Sequence, residues 1–360
     1  MKKFSFGVAA ATLLTGTLAA CGSGSSSEDA TLKLTFGSSV PSANLVAVKA
    51  IEDELIPQLI DRVAAETDYE IEITEQFGTL VGVGEELTGI ESGLVDFGTT
   101  VFPYEPTALG AMNYPYFVPF STPDAEVALG AFRSVYEGNA DLRALFEDHN
   151  QEPLAFFALG DYGLVTTEAW AEPSDLRGRS IVGAGSNLEW LSGLGVSEVS
   201  LPGAEWYTSF QTGLVDGAIT DPGGIQTLSL NEVAGHFATL KFGSLPIGSV
   251  NINADVWDSL PEEVQATVRE VCLEWEKEAA QRVNSVGQTA LSELGNEGVE
   301  VAEPSESGRR AWAEQLKGLP SASAVSLADQ GMSGAEIIQA YIDAQVAGGH
   351  NFPLEYAVAE

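Results

Sequence analysis

Basic residues are scarce: 16 lysines and arginines stand against 52 aspartates and glutamates, a formal net charge of −36. A chain this acidic repels phosphate backbones and anionic headgroups, so nucleic acid and acidic membrane surfaces are excluded as partners. Histidine is almost absent. His149, His236 and His350 lie far apart with no metal-ligand spacing, and no GxSxG, HExxH, P-loop or CxxC occurs. Gly183 and Gly185 give only a GxG, with Leu188 where a dinucleotide fingerprint needs its third glycine. No cofactor is expected. Abundant acids can always be paired on paper, so their number is no argument for hydrolysis, and the missing nucleophile points to binding. Of the two cysteines, only Cys272 lies beyond the N-terminal region, which leaves no internal disulfide.

Long apolar runs are also lacking. The longest, Phe6 to Leu18 behind Lys2 and Lys3, is too short to span a bilayer comfortably but suits an export signal. Leu18-Ala19-Ala20-Cys21 matches a lipobox. The expectation is a leader over 1–20, lipidation of Cys21, a flexible tether over 21–30, and a lipid-anchored protein in the periplasm or at the cell surface.

Strands and helices alternate through the remainder. TLKLTFG (31–37) and YEIEITE (69–75) read as strands, separated by a helix over 43–66 that Pro57 should kink or split. A helix over 85–92 leads into a strand over 94–100, and PLAFFAL (153–159) reads as a buried strand. This alternation predicts an α/β fold with mainly parallel sheets flanked by helices. Ser259-Leu260-Pro261-Glu262 has the form of a capping box. The helix beyond it carries apolar residues from Val264 to Ala290 at spacings of three and four. About thirty helical residues extend roughly 45 Å, more than one small domain covers. A helix over 260–294 is therefore expected to span two lobes, with Gly287 its weak point. The expected division is 31–153 plus 239–275 for lobe I and 154–238 plus 276–360 for lobe II. Helices over 305–317 and 333–346 are expected outside lobe II.

The most organised stretch is Glu205 to Pro222, EWYTSFQTGLVDGAITDP. Trp206, Phe210 and Leu214 recur every four residues, so this is an amphipathic helix feeding a short buried strand that ends in the turn Asp221-Pro222. With Asp175-Leu176-Arg177-Gly178, Phe77-Gly78 and Gly93-Leu94-Val95-Asp96, it resembles the solute-binding proteins of TRAP transporters, the DctP-like family. The resemblance covers nearly all of the chain beyond the leader. It implies a two-lobed periplasmic-binding-protein fold, hinge closure on a small organic solute, and delivery to TRAP permease subunits in the membrane. It also implies that the Pro-Phe-rich segment Tyr114 to Phe120 lines the cleft. An ABC-type binding lipoprotein and a secreted enzyme on a similar scaffold are the alternatives, and a sensing lipoprotein is not separable by sequence.

In that family an arginine three or four residues after the DLKG-type glycine grips a substrate carboxylate. Here the place is held by Val182, and Arg179 falls too early and on the opposite strand face. A two-pronged arginine contact contributes roughly 1.5 to 3 kcal/mol. Burying a carboxylate against valine would cost about 3 to 5 kcal/mol. Three ligands stay open. An acid could be met by a shifted Arg179. A neutral or aromatic solute could be held by Tyr104, Trp190, Trp206 and Tyr207 with Asn187, Gln211 and Thr220. A cation could pair with Glu105, Asp161 or Asp221. Ser39 and Tyr162, at strand ends, complete the candidate set.

Overall fold

In the computed structural model of the chain, residues 30–356 and 358 are described. The expected leader, Cys21 and nearly all of the tether lie outside them.

Two sheets form. The first has the order β2-β1-β3-β10-β4, with β1 at Ala30–Ser38, β2 at Tyr69–Phe77, β3 at Phe97–Val101, β4 at Gln151–Asp161 and β10 at Ser244–Asn253. The second has the order β11-β9-β5-β8-β6-β7, with β5 at Gly163–Thr166, β6 at Ser180–Gly183, β7 at Ser197–Ser200, β8 at Gly217–Thr220, β9 at His236–Ala238 and β11 at Glu300–Ala302. Each sheet is parallel except for one strand. β10 runs antiparallel to β3 and β4, and β5 runs antiparallel to β8 and β9. These two strands adjoin two of the three points where the chain changes sheets, after Asp161 and before Ser244; the third passage runs along the long helix from β10 to β11. The first crossing falls later than the expected boundary at 153/154, because β4 stays in the first sheet through Asp161.

The helix before β2 does not break at Pro57. It runs without interruption from Val46–Ala50 through a wide π turn at Ile51–Leu55 into the α-helix Ile56–Glu66, and the wider turn just before Pro57 is where the hydrogen-bond ladder is altered around the residue that lacks an N–H. The long helix runs Glu262–Asn296 and carries residues of both lobes' cores, including Val264, Trp275, Val283 and Leu294. The capping box does not form. Ser259 ends the preceding helix and its hydroxyl donates to the Val256 carbonyl, so Pro261 starts the long helix without a side-chain cap.

The C-terminal helices correct the expectation. Ile337, Ile338 and Tyr341 of Gly334–Ala347, with Leu327 of the helix Leu319–Asp329, share one core with Phe102, Phe132 and Phe156 of the first lobe. The helix Leu319–Asp329 was not anticipated; its apolar residues have no clear helical stripe. Glu306–Leu316 instead packs at the junction, where the Trp312 indole donates to the Trp190 carbonyl at 2.7 Å. There the Trp190 ring packs tilted against Phe242 with centroids 4.7 Å apart, and its indole donates to the Tyr116 carbonyl at 2.7 Å, tying the lobes at one end. Tyr116 and Phe120 are buried in this packing and Tyr114 in the core of lobe I against Phe132 and Tyr341, so the aromatic segment joins core to junction rather than lining the cleft.

A repeat relates the lobes. Gly93-Leu94-Val95-Asp96 enters β3, and Gly213-Leu214-Val215-Asp216 enters β8. Both glycines sit at positive φ, +71° and +70°, where a side chain would be strained. Both leucines are exposed and both valines buried. Asp96 Oδ2 accepts from the Thr35 amide and Asp216 Oδ2 from the Ser180 amide, each at 2.7 Å.

Candidate functional site

Parallel strands direct their C-terminal ends toward one side, and an open α/β sheet places ligand contacts there. Between the two sheets those ends enclose a cavity of about 170 Å³. Lobe I contributes Asn44, Leu45 and Val46 after β1 and Tyr104 after β3. Lobe II contributes Ala184 and Asn187 after β6, Trp206, and Ile219, Thr220 and Asp221 at the end of β8. Gly160, Tyr162, Val286 and Gly287 close it along the crossing strand and the long helix.

Of the twelve candidate residues, Tyr104, Tyr162, Asn187, Trp206, Thr220 and Asp221 line this cavity. Trp206 is held in place by its indole, which donates to the Leu201 carbonyl at 2.9 Å. Asn187 turns its Oδ1 to accept the Ala184 amide. The Tyr162 hydroxyl pairs with that of Tyr116, and burial raises both phenols above their ordinary range. Burial does the same to Tyr104, with Glu86 adding to it. Asp221 caps the helix Pro222–Thr227, its Oδ1 accepting the Gly224 amide at 3.0 Å. It is 8% exposed, and burial pushes its carboxyl upward against the pull of the surrounding amides.

The other six are placed elsewhere. Ser39 donates from both its amide and its hydroxyl to Glu86 Oε1. Glu105 accepts the Leu87 amide at 3.3 Å. Asp161 lines a neighbouring cavity with Pro123, Asn284 and Gln288 and accepts the Gly243 amide at 3.0 Å. Burial lifts its carboxyl to about 7, with Arg309 and Lys241 pulling the other way. Val182 is fully buried in the core of lobe II with Trp206 and Phe210, so its side chain does not reach the cavity. Tyr207 and Gln211 lie one position around the helix from the inward pair Trp206 and Phe210; Tyr207 points out to bond Glu232 at 2.8 Å. Trp190, also weighed as a stacking residue, belongs to the junction.

Arg179 is committed too. Its guanidinium donates to the carbonyls of Glu168 and Ala169 at 2.8 and 3.0 Å, which closes the route by which it would meet a solute acid. No lysine or arginine is among the described residues lining the cavity. Sequence reading missed Asn44 to Val46, Thr227 and the helix positions Val283 and Val286. The first group was legible, because it follows the first strand's end; the helix positions were assigned to core packing by their periodicity.

The sequence profile described as bacterial extracellular solute-binding protein, family 7 (DctP), matches residues 50–323. The C4-dicarboxylate-binding periplasmic protein DctP of Rhodobacter capsulatus is 27% identical over 239 residues, 64% of this chain and 70% of that protein. A TRAP periplasmic solute binding protein from Desulfovibrio salexigens superposes with a TM-score of 0.75 at 19% identity, over 89% of this chain and 96% of that one. A second, from Bordetella bronchiseptica with bound mandelate, gives 0.74 at 20% identity over 88% and 99%. The structures establish the shared fold and the profile establishes the family: the chain belongs to the family 7 extracellular solute-binding proteins, the DctP-like receptors of TRAP transporters.

Proposed function

We propose that the cavity between the lobes is where this receptor captures its organic solute, closing on it and presenting it to a TRAP permease. The solute touches both lobes only when they are closed and so shifts the population toward that form. The observation that carries the reading is the lining: Tyr104 from lobe I faces Trp206, Thr220 and Asp221 from lobe II across a space bounded by the long helix. No serine, cysteine, histidine or lysine is among the described residues lining that space, which supports binding without turnover; the relatives named above are binding proteins too.

The solute is one that needs no guanidinium. Two of the relatives named above are a C4-dicarboxylate-binding protein and a receptor with bound mandelate. In this chain Val182 and Arg179 are both unavailable for such a contact. Small-angle scattering with the co-purified solute tests capture: the radius of gyration falls on binding, and an unchanged radius with a verified ligand removes the closure mechanism. Export with lipidation of Cys21 belongs to the same proposal. Intact-mass analysis of the membrane fraction should show a diacylglyceryl-modified Cys21 at the N-terminus; an unmodified chain released to the medium overturns the anchor.

A further inference from the structure

The cavity's charge defines the class of solute. Among the described residues its lining contains one carboxylic acid, Asp221, and no lysine or arginine. The other acid beside the cleft, Asp161, has Arg309 and Lys241 acting on it and lines the neighbouring cavity. Asp221 has no such partner: the groups acting on its carboxylate are the amides of its own turn, at Gly223 and Gly224. A carboxylate ligand would therefore meet like charge at close range, with nothing to offset it. Tyr104, Tyr162 and Trp206 supply apolar surface that excludes water, and a charge pair is stronger where water is excluded.

Resting on the cleft as the capture site, we propose that the solute presents an organic cation, a protonated amine or a quaternary ammonium, to Asp221, with the three aromatic residues walling its apolar body. Burial raises the Asp221 carboxyl, and a bound cation relieves that cost. Aromatic walls add to the attraction where a ring face meets the cation.

The test is calorimetry on the full exported protein with three probes of one scaffold: benzylamine, benzyl alcohol and benzoate. Benzylamine is expected to bind at least about tenfold more tightly than benzoate, a difference of about 1.4 kcal/mol. Asp221→Asn keeps an acceptor for the Gly224 amide, so the helix stays capped, and it should erase the preference. Asp161→Asn should retain it. Benzoate preferred by the wild type, a preference that survives Asp221→Asn, or one lost only in Asp161→Asn would overturn the inference. So would failure of all three probes to bind at millimolar concentration. Native mass spectrometry of the protein as purified separates the two levels of the account. A co-purified anion refutes the cation while leaving capture in place, and a co-purified amine supports both.

Discussion

The two lobes build the same joint and then use their acids differently. In each, a short helix ends at a glycine with positive φ, an aspartate takes the amide of the neighbouring strand, and a buried strand carries the chain to the cleft. In lobe I the nearby buried acid is Glu86, whose oxygens accept the Ser39 amide and hydroxyl, the Thr99 hydroxyl and the Val101 amide. Its hydrogen-bonding capacity is spent inside the protein, and it holds together the ends of β1 and β3. In lobe II the acid is Asp221, which caps a short helix and borders the cavity. The first acid is structural because protein donors surround it. The second is held by the amides of its own turn and borders the cavity.

The sharpest way to break this contrast is to remove each acid in turn. Glu86→Ala leaves two buried amides and two hydroxyls without their acceptor and is expected to cost about 3 kcal/mol or more in urea denaturation. Asp221→Ala loses a helix cap and should cost about 1 kcal/mol. Equal losses would erase the distinction. The likeness is tested next. Asp96→Ala and Asp216→Ala each remove the acceptor of one strand amide, and each should cost about 1 to 2 kcal/mol, matching within error. A large disparity would show that the repeat is one of sequence only.

Acidity sharpens the comparison further. The Asp161 carboxyl is raised to about 7, so the unfolded chain binds fewer protons than the folded one across the interval from the ordinary carboxylate range up to that value. Stability therefore falls as pH rises through this window and returns on acidification. Between pH 8 and pH 6 the wild type should gain about 1 kcal/mol relative to Asp161→Asn. Parallel pH profiles for the two proteins would contradict this. The smallest effect belongs to Gly287, where an added methyl meets no atom within 4 Å. Gly287→Ala should stabilise by about 0.5 to 1 kcal/mol through helix propensity. It should also weaken solute binding by about threefold if the long helix bends there on closure. Unchanged affinity moves the hinge elsewhere.

Much of the architecture was legible in the sequence, because strict alternation in YEIEITE, the proline at 57 and the long run of apolar spacings each report a local cause. The strand ends also gave up Tyr104, Thr220 and Asp221. Side chains whose role depends on a distant partner were not legible. Ser39 reads as a strand-end ligand until Glu86, 47 residues later in the chain, takes both its donors. Tyr207 shares a helix with Trp206, and only the packing of lobe II decides which of them faces inward. The repeat of Gly-Leu-Val-Asp is visible in the residues, but its meaning rests on the matching hydrogen bonds of two separate sheets. The C-terminal helices were assigned to the wrong lobe for a similar reason: amphipathicity shows that a face is buried and gives no information on which surface buries it.

A crystal structure of the receptor with its co-purified solute tests the account most directly. The solute should lie between Tyr104, Trp206 and Asp221, with no guanidinium within hydrogen-bonding distance and a donor or cationic group turned toward the Asp221 carboxylate. A carboxylate gripped by Arg179, or a solute seated away from this cavity, would contradict it.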